Sequence, residues 1–228
     1  MTEELGKIEK PSAASFGKQR KLYLVPLLYA GPDAPAEYLE RFESYWREVD
    51  EQISNQESKI GRVTRIYHES IALGGEEGLA MMERLNPPGH RIADEKCRQG
   101  AVLEVTEEAE LANECMDWER CLLIGFISQK AAATVSGFFR EASQRRYEFI
   151  AQRIDETLPD KGVGVLFIRE GHSVQFPADI TVFLVAPPSL DGIHRWLRER
   201  PATAEKDAEE HSQPADEASP PAGEVENG

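Results

Sequence analysis

Five short runs of apolar and β-branched residues, separated by stretches with helical spacing, leave this chain few architectures. The runs are "KLYLVPLLY" (21–29), "RVTRIYHESI" (62–71), "AVLEV" (101–105), "GVGVLFI" (162–168) and "DITVFLV" (179–185). Near-continuous apolar strands indicate burial on both faces of a sheet, and strands alternating with helices indicate parallel pairing through crossovers. The expected fold is therefore a single α/β domain with a mainly parallel central sheet flanked by helices. Pro26 interrupts the first run, and because proline removes a ladder donor it suits an edge or a bulge. Too few residues separate the last two runs for a helix, so that pair is expected as an antiparallel hairpin at the sheet edge.

Between the strands, residues 36–60 set Tyr38, Leu39, Phe42, Tyr45, Trp46, Val49 and Ile53 three and four apart, the stripe of an amphipathic helix that Gly61 closes. "GGEEGLAMMERL" (74–85) predicts a helix with acids at its positive end. A short helical segment is expected around 91–99, after an "NPPG" turn. Thr106 has the chemistry of an N-cap, with Glu107 and Glu108 in the first turn behind it. From there to Leu158 no strong breaker appears, which predicts a bent pair of helices hinged in "SQKAAATVSG" (128–137). The second of the pair turns Ala142, Phe149, Ile150 and Ile154 inward. A closing helix over 189–200 takes Ser189 as its cap, behind Pro187 and Pro188.

The termini carry little that can pack. Residues 201–228 hold no aromatic side chain and no large aliphatic one beyond Val225, so they cannot offset the entropy of ordering and are expected to be disordered. Eight acids against one lysine give this tail −7 of the chain's −15. Residues 1–20 are polar, broken by Pro11, and form the expected disordered leader. The domain is then 21–200. Its excess of acids opposes nucleic-acid binding, which depends on clustered Lys and Arg. No apolar run approaches the ~18 residues of a membrane span, and no secretion signal opens the chain. A cytoplasmic protein without membrane contact is expected, with a protein partner as the remaining kind of macromolecular contact and the oligomeric state open. Cys97, Cys115 and Cys121 form no C-x-x-C pair and are expected as reduced, buried thiols.

Several of these segments together resemble a known family. "LYLVP" near the start, a second strand ending "YHES", the "TEEAEL" element, a long helix ending "RRYEFIAQRIDETL" and a strand running into "GH" look like the TraB/ChaN-type α/β proteins. The likeness covers most of 21–185, and its specific part is 145–172. The family includes membrane-tethered metalloproteases and cytosolic members with a similar "R-x-x-F-I-A-x-R-I" followed by "G-x-L-F-I-x-x-x-H". The resemblance implies a site of two histidines and a glutamate at strand ends. Glu69 matches the acid and His172 the second histidine, whereas Tyr29 stands where the first histidine is expected. Phenol is a poorer ligand for a divalent metal than imidazole. His68 cannot fill the gap, because neighbouring strand residues face opposite ways.

The residues support a site independently. Ligands of open parallel sheets bind outside the carboxyl ends of the strands, where Tyr29, Glu69 and His172 are all placed. Glycine at 171 lets the backbone turn sharply at the end of "GVLFIREGH", and imidazole with carboxylate can hold a metal or act as a base and its orienting partner. His172 can equally be a hydrogen-bonded turn residue and Glu69 a paired carboxylate. His90 and His194 are expected to face solvent. No phosphate-binding loop, dinucleotide fingerprint, H-E-x-x-H or G-x-S-x-G is present. Two readings stay open: a cytosolic binding or scaffolding domain with a degenerate site and no cofactor, or a metal-dependent hydrolase of a small molecule or peptide using Glu69 and His172, with Tyr29 assisting. The missing histidine and the acidic tail favour the first.

Overall fold

A computed structural model describes residues 19–199; residue 200, the expected tail over 201–228 and all but the last two residues of the expected leader lie outside the described residues. The elements in chain order are β1 (Arg20–Pro26), α1 (Ala36–Ile60), β2 (Arg65–His68), α2 (Gly75–Leu85), α3 (Pro87–Arg98), β3 (Val102–Leu103), α4 (Ala109–Ile124), α5 (Gln129–Thr157), β4 (Val163–Ile168), β5 (Ile180–Leu184) and α6 (Pro188–Glu199). Arg20, assigned to the leader by sequence, begins β1.

The five strands form one sheet in the order β3-β2-β4-β1-β5, and every pairing is parallel. The antiparallel edge hairpin is thereby corrected. Leu22 of β1 pairs with Gly164 of β4 on one side and Val182 of β5 on the other, so residues 169–179 carry the chain over β1 without a helix. A loop of that length extends to roughly 35 Å, enough to return along a strand and step sideways across its neighbour. Pro26 is compatible with a central position because it is the last residue of its strand.

Two apolar layers cover the sheet. On one face the α1 stripe, with Phe42, Tyr45, Trp46, Val49 and Ile53 all buried, packs with Met82, Ile92, Leu190 and Ile193 against Tyr23, Val25, Ile66 and Phe167. Leu39, expected on that stripe, is exposed. On the other face Ile150, Ile154 and Leu158 of the α5 end meet Leu22, Tyr67, Leu166 and Ile168. Gly164 permits this approach, since a Cβ there would stand 3.0 Å from Leu22 and 3.1 Å from Tyr67.

Several local expectations shift for identifiable reasons. The "NPPG" segment is the first turn of α3: Pro87 needs no N–H there, and the Asn86 side chain accepts from the Gly89 amide at 3.2 Å. The break in the long helical stretch lies just before the expected hinge. Gly125, at φ +78°, ends α4, and Ser128 caps α5, so α4 and α5 form an antiparallel hairpin and 129–137 is regular helix. Ser189 lies within α6, and its amide donates to Glu48 at 3.2 Å. All three cysteines are free thiols, Cys115 buried and the other two half-buried. Among the described residues no helix is long and apolar enough to cross a membrane.

Candidate functional site

The carboxyl edge of the sheet holds a buried network of charge. Glu69 follows the last residue of β2 and is tied to β4 by its own amide, which donates to the Phe167 carbonyl at 2.8 Å. Its side chain is 2 % exposed and points at arginine. The Arg169 amide donates to one carboxylate oxygen at 2.6 Å and the Arg169 Nε to the other at 2.5 Å, while Arg146 Nη2 lies 3.1 Å from that second oxygen. Arg146 comes from α5, where Ala142, Arg146, Ile150 and Ile154 are the buried residues. Its Nε donates to both oxygens of Glu107, at 2.9 and 3.0 Å, and its Nη2 bonds Glu107 as well. Glu107 also accepts from the Ser70 amide at 3.0 Å, and Glu119 of α4 reaches Arg169 at 3.4 Å.

This geometry corrects the cap at Thr106. Helix α4 begins at Ala109, too late for Thr106 to cap it. Thr106 is instead buried beside β2, accepting from the His68 amide at 3.0 Å and donating to the Glu104 carbonyl at 3.2 Å. Glu107 is likewise no first-turn acid exposed to the helix dipole; it is the carboxylate partner of a buried guanidinium. Desolvation alone would lower the pKa of Arg146, but hydrogen bonding to Glu107 and the charges of Glu107 and Glu69 outweigh it, so the net direction is upward. Arg169 moves the same way, with Glu69 outweighing its desolvation.

The three residues expected at the site share this edge but are not joined by hydrogen bonds. Tyr29, 45 % exposed, sits beyond β1 near Ser70, and its hydroxyl is pushed up to about 12 by desolvation and by the Glu69 charge. His172 lies beyond β4, behind the sharp turn expected at Gly171, which has φ +76°. Its Nδ1 accepts from the Val174 amide at 3.3 Å, and its ring stands edge-on between Tyr147 and Phe176. Burial lowers the His172 pKa, with Glu69 opposing the change. The strand's abrupt ending thus serves a charge pair through Arg169 and a packed turn through Gly171 and His172. A cavity of about 200 Å³ lies beside them, lined among others by Arg169, His172, Leu24 and Leu184.

His68 takes the opposite side of β2, as strand alternation requires. It is wholly buried beside Phe167, its Nδ1 bonded to the Glu69 carbonyl and its Nε2 without a hydrogen-bond partner among the described residues. Desolvation lowers its pKa to about 4. His90 and His194, both expected to face solvent, are half-buried, and His194 is bonded to Glu170 at 2.7 Å.

The donor set does not suit a metal ion. Both Glu69 oxygens are committed to guanidinium or amide donors, and Tyr29 offers a protonated phenol. Among the described residues no three His, Cys, Asp or Glu side chains are grouped to hold one. Sequence reasoning missed Arg146, Arg169 and Glu107. Arg146 left a signal, since it stands four residues from Ala142 and from Ile150 on the inward stripe of α5, where an unpaired charge is not tolerated. Comparisons with family models, with curated proteins and with solved structures give no match.

Proposed function

We propose that this chain is a cytosolic, non-catalytic relative of the TraB/ChaN-type hydrolases that uses its α/β body as a binding or scaffolding domain for a protein partner. The observation that carries the reading is the state of Glu69. A carboxylate that is to ligate a metal or abstract a proton needs a lone pair open to the substrate space; here two guanidinium donors fill one Glu69 oxygen, the Arg169 amide holds the other, and the side chain is 2 % exposed. The substitution of tyrosine for the first histidine points the same way, because a tyrosine, a committed carboxylate and one imidazole lack the ligand set that binds zinc, manganese or iron tightly.

Metal analysis tests this. Protein purified without chelator is expected to carry far less than one equivalent of zinc, manganese or iron, and His172→Ala is expected to leave that content unchanged. Near-stoichiometric metal that disappears in both His172→Ala and Glu69→Gln would sink the reading and install a metal-dependent hydrolase in its place.

A further inference from the structure

The hairpin of α4 and α5 ends in an apolar tip that the rest of the described protein does not cover. Cys115 is the only buried residue of α4, and α5 buries nothing before Ala142. Trp118 stacks on Phe138 at 5.0 Å and closes the hairpin from within. Beyond that contact Leu123, Ile124 and Ile127 are 81, 84 and 108 % exposed, and Phe126 is 39 % exposed. Directly beside the tip a shallow hollow of about 370 Å³ is lined by Ser128, Lys130, Ala131, Thr134 and Val135.

We propose that two copies of this chain associate through these hairpins about a two-fold axis. Each copy seats its Leu123, Ile124 and Ile127 over the Ala131, Thr134 and Val135 hollow of the other. A knob next to a hollow on one surface is self-complementary, which is the requirement of an isologous dimer. The two hairpins together make a four-helix arrangement, the common solution for helices with an unmatched apolar side. The four tip side chains present on the order of 500 Å² of largely apolar surface, at the upper end of what monomers ordinarily leave open, and the hollow beside them extends the patch toward the ~800 Å² per partner of a standard interface.

Charge selects a protein over a lipid surface as the occupant. Arg120 and Lys130 flank the tip, but Arg120 is paired with Asp117 at 3.3 Å and Glu119 lies one turn back from Leu123. Acids at that depth oppose insertion among lipid headgroups, whereas the tip of a second copy offers a matching apolar surface and leaves the charged side chains at a solvated rim.

Sedimentation equilibrium of the full chain over about 1 to 100 µM is the test. A monomer–dimer equilibrium is expected, and Leu123→Glu with Ile127→Glu should raise its Kd at least tenfold with an unchanged far-UV spectrum. As an independent check, a photo-crosslinking residue at position 124 in the otherwise native chain should yield an intermolecular product mapping to residues 128–138. A monomer throughout the range, a dimer that the double variant leaves intact, or crosslinks confined to one chain overturns the proposal. So does flotation of the wild-type monomer with phosphatidylcholine vesicles that the double variant loses, which would assign the tip to lipid.

Discussion

At the amino edge of the sheet Arg20 donates to Asp155 at 2.6 Å and to Asp179 at 2.6 and 2.9 Å; at the carboxyl edge Arg146 donates to Glu107 and approaches Glu69. The chemistry is the same and the surroundings are not. The Asp155 and Asp179 side chains are more than half exposed, so water and salt compete for them, while Glu69, Glu107 and Arg146 are each at most 3 % exposed. An exposed cluster gains little from its charges, typically 0.2 to 1 kcal/mol per pair. A buried cluster offers little net stability either, but it makes each member indispensable to the others, since any survivor is left charged in a low-dielectric site.

The largest expected effect follows from that asymmetry. Arg146→Met, which keeps the stem and removes the guanidinium, should lower unfolding free energy in urea by about 3 to 5 kcal/mol, because Glu107 is left buried and uncompensated. A loss below about 1 kcal/mol would show that water reaches the carboxyl edge as it reaches the amino edge.

The pH dependence of stability sharpens the same contrast. His68 titrates near 4 in the folded chain against an ordinary value of about 6.5, so between those values the unfolded state binds more protons and stability falls as pH drops. The loss is complete below the folded value and on the order of 3 kcal/mol. His68→Phe should flatten the slope of stability between about pH 6.5 and 4, and an unchanged slope would remove His68 as its source.

The smallest expected effect belongs to the wet cluster. Arg20→Ala should cost about 1 to 2 kcal/mol, part of it from lost bonds to the Asp155 and Leu158 carbonyls. Hydrogen bonding to Arg20 lowers the Asp179 pKa, so its contribution is present above the ordinary carboxylate value and disappears as pH falls through the folded one. Comparing Arg20→Ala with wild type in 0.05 and 1 M salt checks the assignment: the difference should shrink at high salt, whereas that for Arg146→Met should not.

The sequence was informative wherever apolar periodicity decided structure. The helix over 36–60 runs over those residues, and its aromatic stripe from Phe42 to Ile53 is core. The orientation of β5 was hidden because the residues after β4 carry no helical pattern, and a loop crossover over one strand looks locally like a wide hairpin turn. The site was half legible. Glycine before histidine marked the turn at 171 and 172, and "YHES" marked the end of β2, but the partners of Glu69 stand 77 and 100 residues away in the chain. No local pattern pairs a carboxylate with arginines so distant. The acid in the first turn of a predicted helix has an ordinary explanation, and for Glu107 that explanation concealed a buried partner.

The strand order bears on how the polypeptide comes together during synthesis. Among the described residues β1 is hydrogen-bonded only to β4 and β5, the last two strands in chain order. Translation at about 5 to 20 residues per second leaves the first strand without either neighbour for on the order of 10 s. Throughout that interval its apolar residues, Leu22 to Val25 above all, are available to other chains, and the central pairing closes a loop spanning most of the domain. The protein that results has no native sheet at its centre until β4 has left the ribosome.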